Sequence, residues 1–202
     1  MIKPEKNTLC YAIEYGTNAI FRGFLGNNRN KIFFNTVDNN YDTIEWLKDK
    51  YIDKPIEEIF EEFLRNFYKI HSYYKVHRRY YYWKLKPVNV SNKKLLPRME
   101  TDIELTKDNN KIIIDAKYYK NAFVSRYEGK KLVSNNIYQM KTYLIQNLNQ
   151  YETLRGIIVY PSNGYEINEK FYNRKGYFLE FMTINLAKEW EYIKTRLLEI
   201  IF

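Results

Sequence analysis

In DKPIEEIFEEFLRNFYKI, apolar residues fall at positions 56, 59, 60, 63, 64, 67 and 70. That 3.6-residue period predicts an amphipathic helix, with Asp53 as its cap, Pro55 near the first turn and glutamates early in the helix. The next stretch, YYKVHRRYYYWKLK, is rich in aromatics and alternates in places, which predicts a strand followed by the loop PVNVSNKKLLPR. TDIELTKDNNKIIIDAKYY, residues 101–119, places two β-type runs around a polar Asp-Asn-Asn and predicts a hairpin. A helix is expected over residues 135–148, a buried strand in GIIVYP at 156–161, and a further strand in YFLEFMTINL leading into the helix AKEWEYIKTRLLEII. Residues 8–50 are less regular, with a short helix expected between Leu9 and Ile20. From residue 53 the order is helix, strand, strand, strand, helix, strand, and then further elements. It predicts an α/β (α+β) layer fold with a central mixed sheet flanked by helices. Residues 1–50 form a short N-terminal region, and residues 51–202 form the main domain.

Composition adds a partner class. The 202 residues suit a single domain with a sizeable core, and 33 Lys and Arg against 24 Asp and Glu leave a formal charge of +9. That excess favours polyanions, nucleic acid ahead of acidic membrane. Cys10 is the only cysteine, which excludes an intramolecular disulfide and a cysteine-based zinc site. No stretch of ~18 apolar residues runs together, and the first twenty residues lack the apolar core of a signal peptide. A soluble, cytoplasmic protein with no membrane partner is expected.

The charges of the hairpin carry the chemistry. With Asn109-Asn110 as a two-residue turn, Asp108 opposes Lys111, Asp102 opposes Lys117, and Asp115 opposes Glu104. Asp102, Glu104, Asp115 and Lys117 then share one face, with Asp102 diagonal to Asp115 at ~7 Å or less between Cβ atoms. Cross-strand ion pairing on a solvated face is the simplest use of such charges. Against it, Ile112, Ile113 and Ile114 put apolar side chains on both faces just before Asp115, as in a central strand covered on both sides. A carboxylate beside such a strand needs a partner. A divalent cation, Mg²⁺ or else Mn²⁺, is the hard, oxygen-seeking partner used at phosphate-processing sites.

These residues carry a resemblance. The Pro97-to-Asp102 approach followed by Asp115-Ala116-Lys117 at the end of an apolar strand resembles the PD-(D/E)xK nuclease core, a restriction-endonuclease-like fold. The preceding helix with Glu61 fits that superfamily, and Gln139 followed by Tyr143 in YQMKTY is similar to the QxxxY motif of its RecB-like branch. More narrowly, FEEFLRNFY, LLPRMETDI, IIIDAKYYK, NIYQMKTYL and TINLAKEWEYIKTRLLEI resemble successive blocks of the McrC family, the nuclease subunit of the McrBC modified-cytosine restriction system. The resemblance covers roughly residues 56–202. About fifty residues precede it, where the family has a much longer region that engages its GTPase motor.

The resemblance implies a Mg²⁺-dependent DNA endonuclease that works with a GTP-driven, McrB-like AAA+ partner. Asp102, Asp115 and the Ala116 carbonyl would hold the metal, and Glu61 would add a ligand directly or through water, with Glu62 as the alternative. Lys117 would orient and help deprotonate the attacking water, or else simply pair with Asp102. Gln139 and Tyr143 share a helix face, where they would position DNA backbone or the site's water, or else form a helix surface or core rim. Basic residues interleaved with aromatics, Arg78, Arg79, Lys120, Arg126, Lys130 and Lys131, form a patch expected to contact DNA phosphates and bases. His71 and His77 lack metal-ligand spacing and are expected to be structural. Homodimerisation would supply the two sites that a double-strand cut needs. Two other readings are a motor-independent nuclease and a non-catalytic DNA-binding or assembly module.

Overall fold

A computed structural model describes residues 55–86, 88, 95–118, 123–126, 129–162, 166–186, 188 and 190–202. The N-terminal region, the expected cap Asp53, and Lys120 lie outside the described residues.

The predicted amphipathic helix is α1, Ile56–His71. Ile59, Phe60, Phe63, Leu64 and Phe67 are all buried along one stripe, each contributing on the order of 2 kcal/mol by leaving water. Tyr68 joins them as a core residue, its hydroxyl donating to the Leu197 carbonyl at 3.0 Å, whereas Ile70 at the end of the stripe is exposed.

The segment expected as one strand forms two short ones, β1 (Lys75–His77) and β2 (Tyr80–Tyr81), which pair in different sheets. Arg78 and Arg79 between them make the break. The following strands are β3 (Met99–Glu100), β4 (Ile103–Lys107), β5 (Asn110–Ala116), β6 (Phe123–Arg126) and β7 (Gly129–Leu132). Helix α2 covers Ser134–Gln146. Strands β8 (Thr153–Pro161), β9 (Asn168–Asn173) and β10 (Tyr177–Ile184) come next, and α3 spans Trp190–Glu199. The exposed β9 was not foreseen. Its burial pattern shows no apolar face, so its pairing with β10, and not its own periodicity, makes it a strand.

The central sheet has six strands in the order β1-β4-β5-β8-β10-β9. It is mixed: β8 runs parallel to both β5 and β10, while the outer pairs are antiparallel. The residues of β5 divide between its two faces. Ile112 and Ile114 pack with α1 and with Ile193 and Leu197 of α3; Ile113 packs with Met140, Tyr143 and Leu144 of α2. The three-isoleucine run therefore marks a covered central strand, as its composition predicts. Helix α2 lies so close to β8 that a Cβ at Gly156 would stand 2.6 Å from the Met140 sulfur. The fold is α+β, a mixed sheet flanked by helices of the restriction-endonuclease-like kind.

The hairpin register differs from the expected one by two residues. Lys107 pairs with Asn110, so Asp108 and Asn109 make the turn, and Asp108 adopts a left-handed φ of 51° that aspartate tolerates better than most side chains. Asp108 thus does not oppose Lys111, whose partner is Thr106; Glu104 opposes Ile113 and not Asp115. One step past the last pair, Ile103 with Ile114, Asp102 comes level with Asp115 and not with Lys117. Face sharing survives because the shift is even.

No helix of the described residues is long and apolar enough to cross a membrane.

Candidate active site

Asp102 and Asp115 stand at the carboxyl end of β5, where it runs parallel to β8. Ligand chemistry concentrates at this edge in sheets with parallel strands. Asp115 is fully buried in β5. Lys117 lies just beyond the strand, its backbone N–H donating to the Val159 carbonyl at 2.9 Å, which extends the parallel pairing by one step. Its ammonium is 2.9 Å from each carboxylate oxygen of Asp115. The hydrogen bond is directed at Oδ1; Oδ2 is approached out of hydrogen-bonding geometry and remains a buried acceptor with an unused lone pair. Lys117 thus pairs with Asp115, whereas the hairpin pattern placed it against Asp102.

Asp102 precedes β4, and its Oδ2 accepts the Ala116 backbone N–H at 2.9 Å. Burial raises its pKa, the neighbouring Asp115 charge raises it further, and Lys117 and the Ala116 N–H offset only part of this, leaving it at about 7. Burial likewise raises Asp115 against the opposing pull of Lys117. Asp102 resists ionisation through burial and the Asp115 charge, and Asp115 through burial and the Glu61 charge, so the pair has room for more positive charge than one ammonium supplies. An oxygen-only donor set with one unused buried lone pair fits a small divalent cation. Among the described residues, three or more acidic, His or Cys side chains do not gather into a ready metal cage, so such an ion would be held by few protein ligands.

Glu61 faces this pair from α1, close enough for its charge to raise both aspartates. Two arginines hold it: Arg65 Nη1 at 2.7 Å and Arg78 Nη2 at 3.1 Å both reach its Oε1. Arg65 also donates to the Asp102 carbonyl at 3.3 Å, tying α1 to the turn that carries Asp102. Arg78 continues to Glu100, its Nε 2.8 Å from Oε1. Glu62, the alternative carboxylate, is half-buried on the same helix. Neither Arg65 nor Glu100 stood out in the sequence; Arg65, one turn after Glu61, was the available signal.

Gln139 and Tyr143 meet on α2, with Gln139 Nε2 2.9 Å from the Tyr143 hydroxyl. Tyr143 is buried and donates to the Glu100 carbonyl at 2.6 Å, two residues before Asp102. Tyr143 is thus tied by its hydroxyl to the segment that leads into Asp102.

Of the basic patch, Arg79 is half-exposed, with Nε 3.8 Å from the buried Glu104. Arg126 falls on β6, and Lys130 and Lys131 fall on β7, where Lys130 pairs with Ser125 and Lys131 with Val124. His71 packs against the Phe67 ring at 4.8 Å between centroids, and His77 is exposed.

Glu104 belongs to a separate buried network behind the site. Lys111 Nζ is 2.6 Å from Glu104 Oε2 and 2.9 Å from both the Tyr81 hydroxyl and Asn147 Oδ1, while Tyr81 donates to Glu104 Oε1. The network joins β2, the hairpin and the end of α2. A cavity of about 350 Å³ beside α3, lined in part by Ser162, Asn168, Asn185 and Tyr192, holds none of the predicted site residues.

Over 124 residues, 61% of this chain, the sequence is 35% identical to the "Type IV methyl-directed restriction enzyme EcoKMcrBC" of Escherichia coli (strain K12); the match covers 35% of that protein, so the chain spans about a third of its length. The family described as "McrBC 5-methylcytosine restriction system component" matches residues 54–161, the stretch that runs from α1 through the hairpin and α2 to the end of β8. With more than half its length inside that match, the chain belongs to the family of McrBC restriction-system components on its McrC side.

Proposed function

We propose that the protein is a Mg²⁺-dependent DNA endonuclease of PD-(D/E)xK type, hydrolysing phosphodiester bonds as part of a modification-dependent restriction system. The observation that carries this reading is the pair Asp102 and Asp115, level with each other at the end of a covered hairpin, with Lys117 2.9 Å from Asp115. Burial, with the Asp115 charge acting on Asp102 and the Glu61 charge on both, resists full ionisation of the pair without a further cation.

In this mechanism Asp102, Asp115 and the Ala116 carbonyl would hold Mg²⁺, with Glu61 as a further ligand directly or through water. The chemistry such an ion would supply is polarisation of the scissile phosphate and an offset to the negative charge that develops on it. Lys117 orients the attacking water and helps remove its proton as the new P–O bond forms and the ester P–O bond breaks. Tyr143 keeps the Glu100–Asp102 approach in place, and Arg65 does the same from α1. The formal charge of +9 supports DNA as the substrate. Family membership supports an McrB-like GTPase as partner, and Mn²⁺ is an acceptable substitute ion.

The test incubates the purified protein with methylated and unmethylated plasmid, Mg²⁺ and GTP, with and without an McrB-like GTPase. Cleavage of the methylated plasmid that requires Mg²⁺ and the GTPase is expected. Cleavage without the GTPase would leave the nuclease and remove the motor, and absence of cleavage under all of these conditions overturns the reading.

A further inference from the structure

Arg78 occupies an unusual place for an arginine beside a nuclease centre, because it is bound to two carboxylates. Its Nη2 lies 3.1 Å from Glu61 Oε1 and its Nε 2.8 Å from Glu100 Oε1. Its side chain is nevertheless 44% exposed, against 18% for Arg65, which shares the same Glu61 oxygen. The backbone beneath it is anchored: Thr101 N–H donates to the Arg79 carbonyl at 3.0 Å, and Arg79 N–H donates to Thr101 Oγ1 at 3.2 Å. Arg78 is thereby fixed next to the Asp102 turn while its paired guanidinium stays open to solvent on one side.

The charges around it balance. Glu61, Glu100, Asp102 and Asp115 stand formally against Arg65, Arg78, Arg98 and Lys117, with Arg98 Nη2 3.7 Å from Glu100. A divalent cation on the two aspartates would leave the cluster with surplus positive charge, repel Arg78 and draw on Glu61. The half-exposed guanidinium is the member best able to leave, and a DNA phosphate is the anion that offers it the same planar, two-point recognition as a carboxylate. We propose that Arg78 is the phosphate-binding arginine of this site, held in reserve by Glu61 and Glu100 and released to DNA when a divalent cation binds. The inference rests on the nuclease reading above.

Two binding measurements on the purified protein test it without relying on turnover. The first follows a labelled DNA duplex by fluorescence anisotropy in EDTA and in Ca²⁺, which supports binding without rapid cleavage. Ca²⁺ is expected to tighten binding by the wild-type protein about tenfold, the scale of one charge-assisted contact, and the gain is expected to fall to about twofold or less in Arg78→Ala. Arg78→Lys should recover only part of it, since an ammonium lacks the two-point fork. The second is Ca²⁺ calorimetry without DNA: Arg78→Ala should bind the ion more tightly than wild type, because Glu61 loses a competing cation. Melting curves confirm that the variants fold. Wild-type protein that nicks DNA with Mg²⁺, together with an Arg78→Ala variant that keeps the full Ca²⁺ gain, overturns the Arg78 assignment and leaves the nuclease standing. Wild-type protein that neither nicks DNA nor binds Ca²⁺ removes both.

Discussion

Asp102 Oδ2 accepts the backbone N–H of Ala116 at 2.9 Å, so the acid at one end of the hairpin is tied to the residue that follows the acid at the other. The two carboxyls are therefore set by the hairpin backbone and not by flexible loops, which gives a metal or water site the rigidity it needs. Asp102→Ala, Asp115→Ala and Lys117→Ala should each lower Mg²⁺-dependent cleavage by at least about a thousandfold, as expected when part of a unit that acts together is lost. Circular dichroism should show the fold retained. Cleavage at wild-type rates by any of the three would sink the assignment.

The pH dependence of stability follows from the raised pKa of Asp102, about 7 in the folded chain against 3.8 as its ordinary value. Between those limits the folded protein keeps a proton that the unfolded chain releases, so raising the pH through that window favours unfolding. Asp102 is therefore without penalty below about pH 4 and costs stability fully above about pH 7 when no cation is bound. Asp102→Asn should melt higher than wild type at pH 8 in EDTA, with the difference shrinking as the pH falls towards 4. Saturating Mg²⁺ should narrow the gap at pH 8 by stabilising wild type selectively. A difference independent of pH would show that the Asp102 charge is not the cause.

The Lys111–Glu104 pair is fully buried and hydrogen-bonded to Tyr81 and Asn147, which makes it costly to break from one side. Lys111→Met should destabilise the protein by on the order of 3 to 5 kcal/mol in urea, because it strands an unpaired carboxylate. Replacing both partners, Lys111→Met with Glu104→Leu, should recover most of that loss, since an apolar pair of similar volume needs no solvation. Equal losses in the single and double variants would contradict this account.

Much of the hairpin was legible because its signals are local. The Ile112–Ile114 run identified a strand covered on both faces, and alternation put Asp102 and Asp115 on one face for either two-residue turn. The register was not legible. Asp-Asn-Asn offers two neighbouring two-residue turns, and the choice of Asp108-Asn109 is fixed by pairing with β1 and β8, from far along the chain. Asp102 lies beyond the last hairpin pair, so the turn chosen decided whether it met Lys117 or Asp115. The arginines holding Glu61 were hidden for the same reason: helical spacing marks Arg65, but only the sheet brings Arg78 and Glu100 to it. Strand β9 shows the limit from the other side, an exposed edge whose six residues hold no apolar face for a pattern to detect.

Tyr143 separates a bracing role from a DNA-contacting one. Its ring is buried between α2 and the sheet, and its hydroxyl donates to the Glu100 carbonyl at 2.6 Å while receiving Gln139 Nε2 at 2.9 Å. Tyr143→Phe keeps the ring and removes that link, so it should cost only about 1 kcal/mol of stability. The Glu100–Asp102 approach would lose its brace, and a sub-ångström drift of a reacting carboxylate is enough to slow catalysis. Single-turnover cleavage should fall about tenfold, with DNA affinity unchanged, the pattern expected when geometry and not binding is lost. Gln139→Ala should act in the same direction but less, since it reaches Glu100 only through the phenol. If Tyr143→Phe weakened DNA binding and left the single-turnover rate intact, the tyrosine would belong to the DNA surface and the brace would have to be assigned elsewhere.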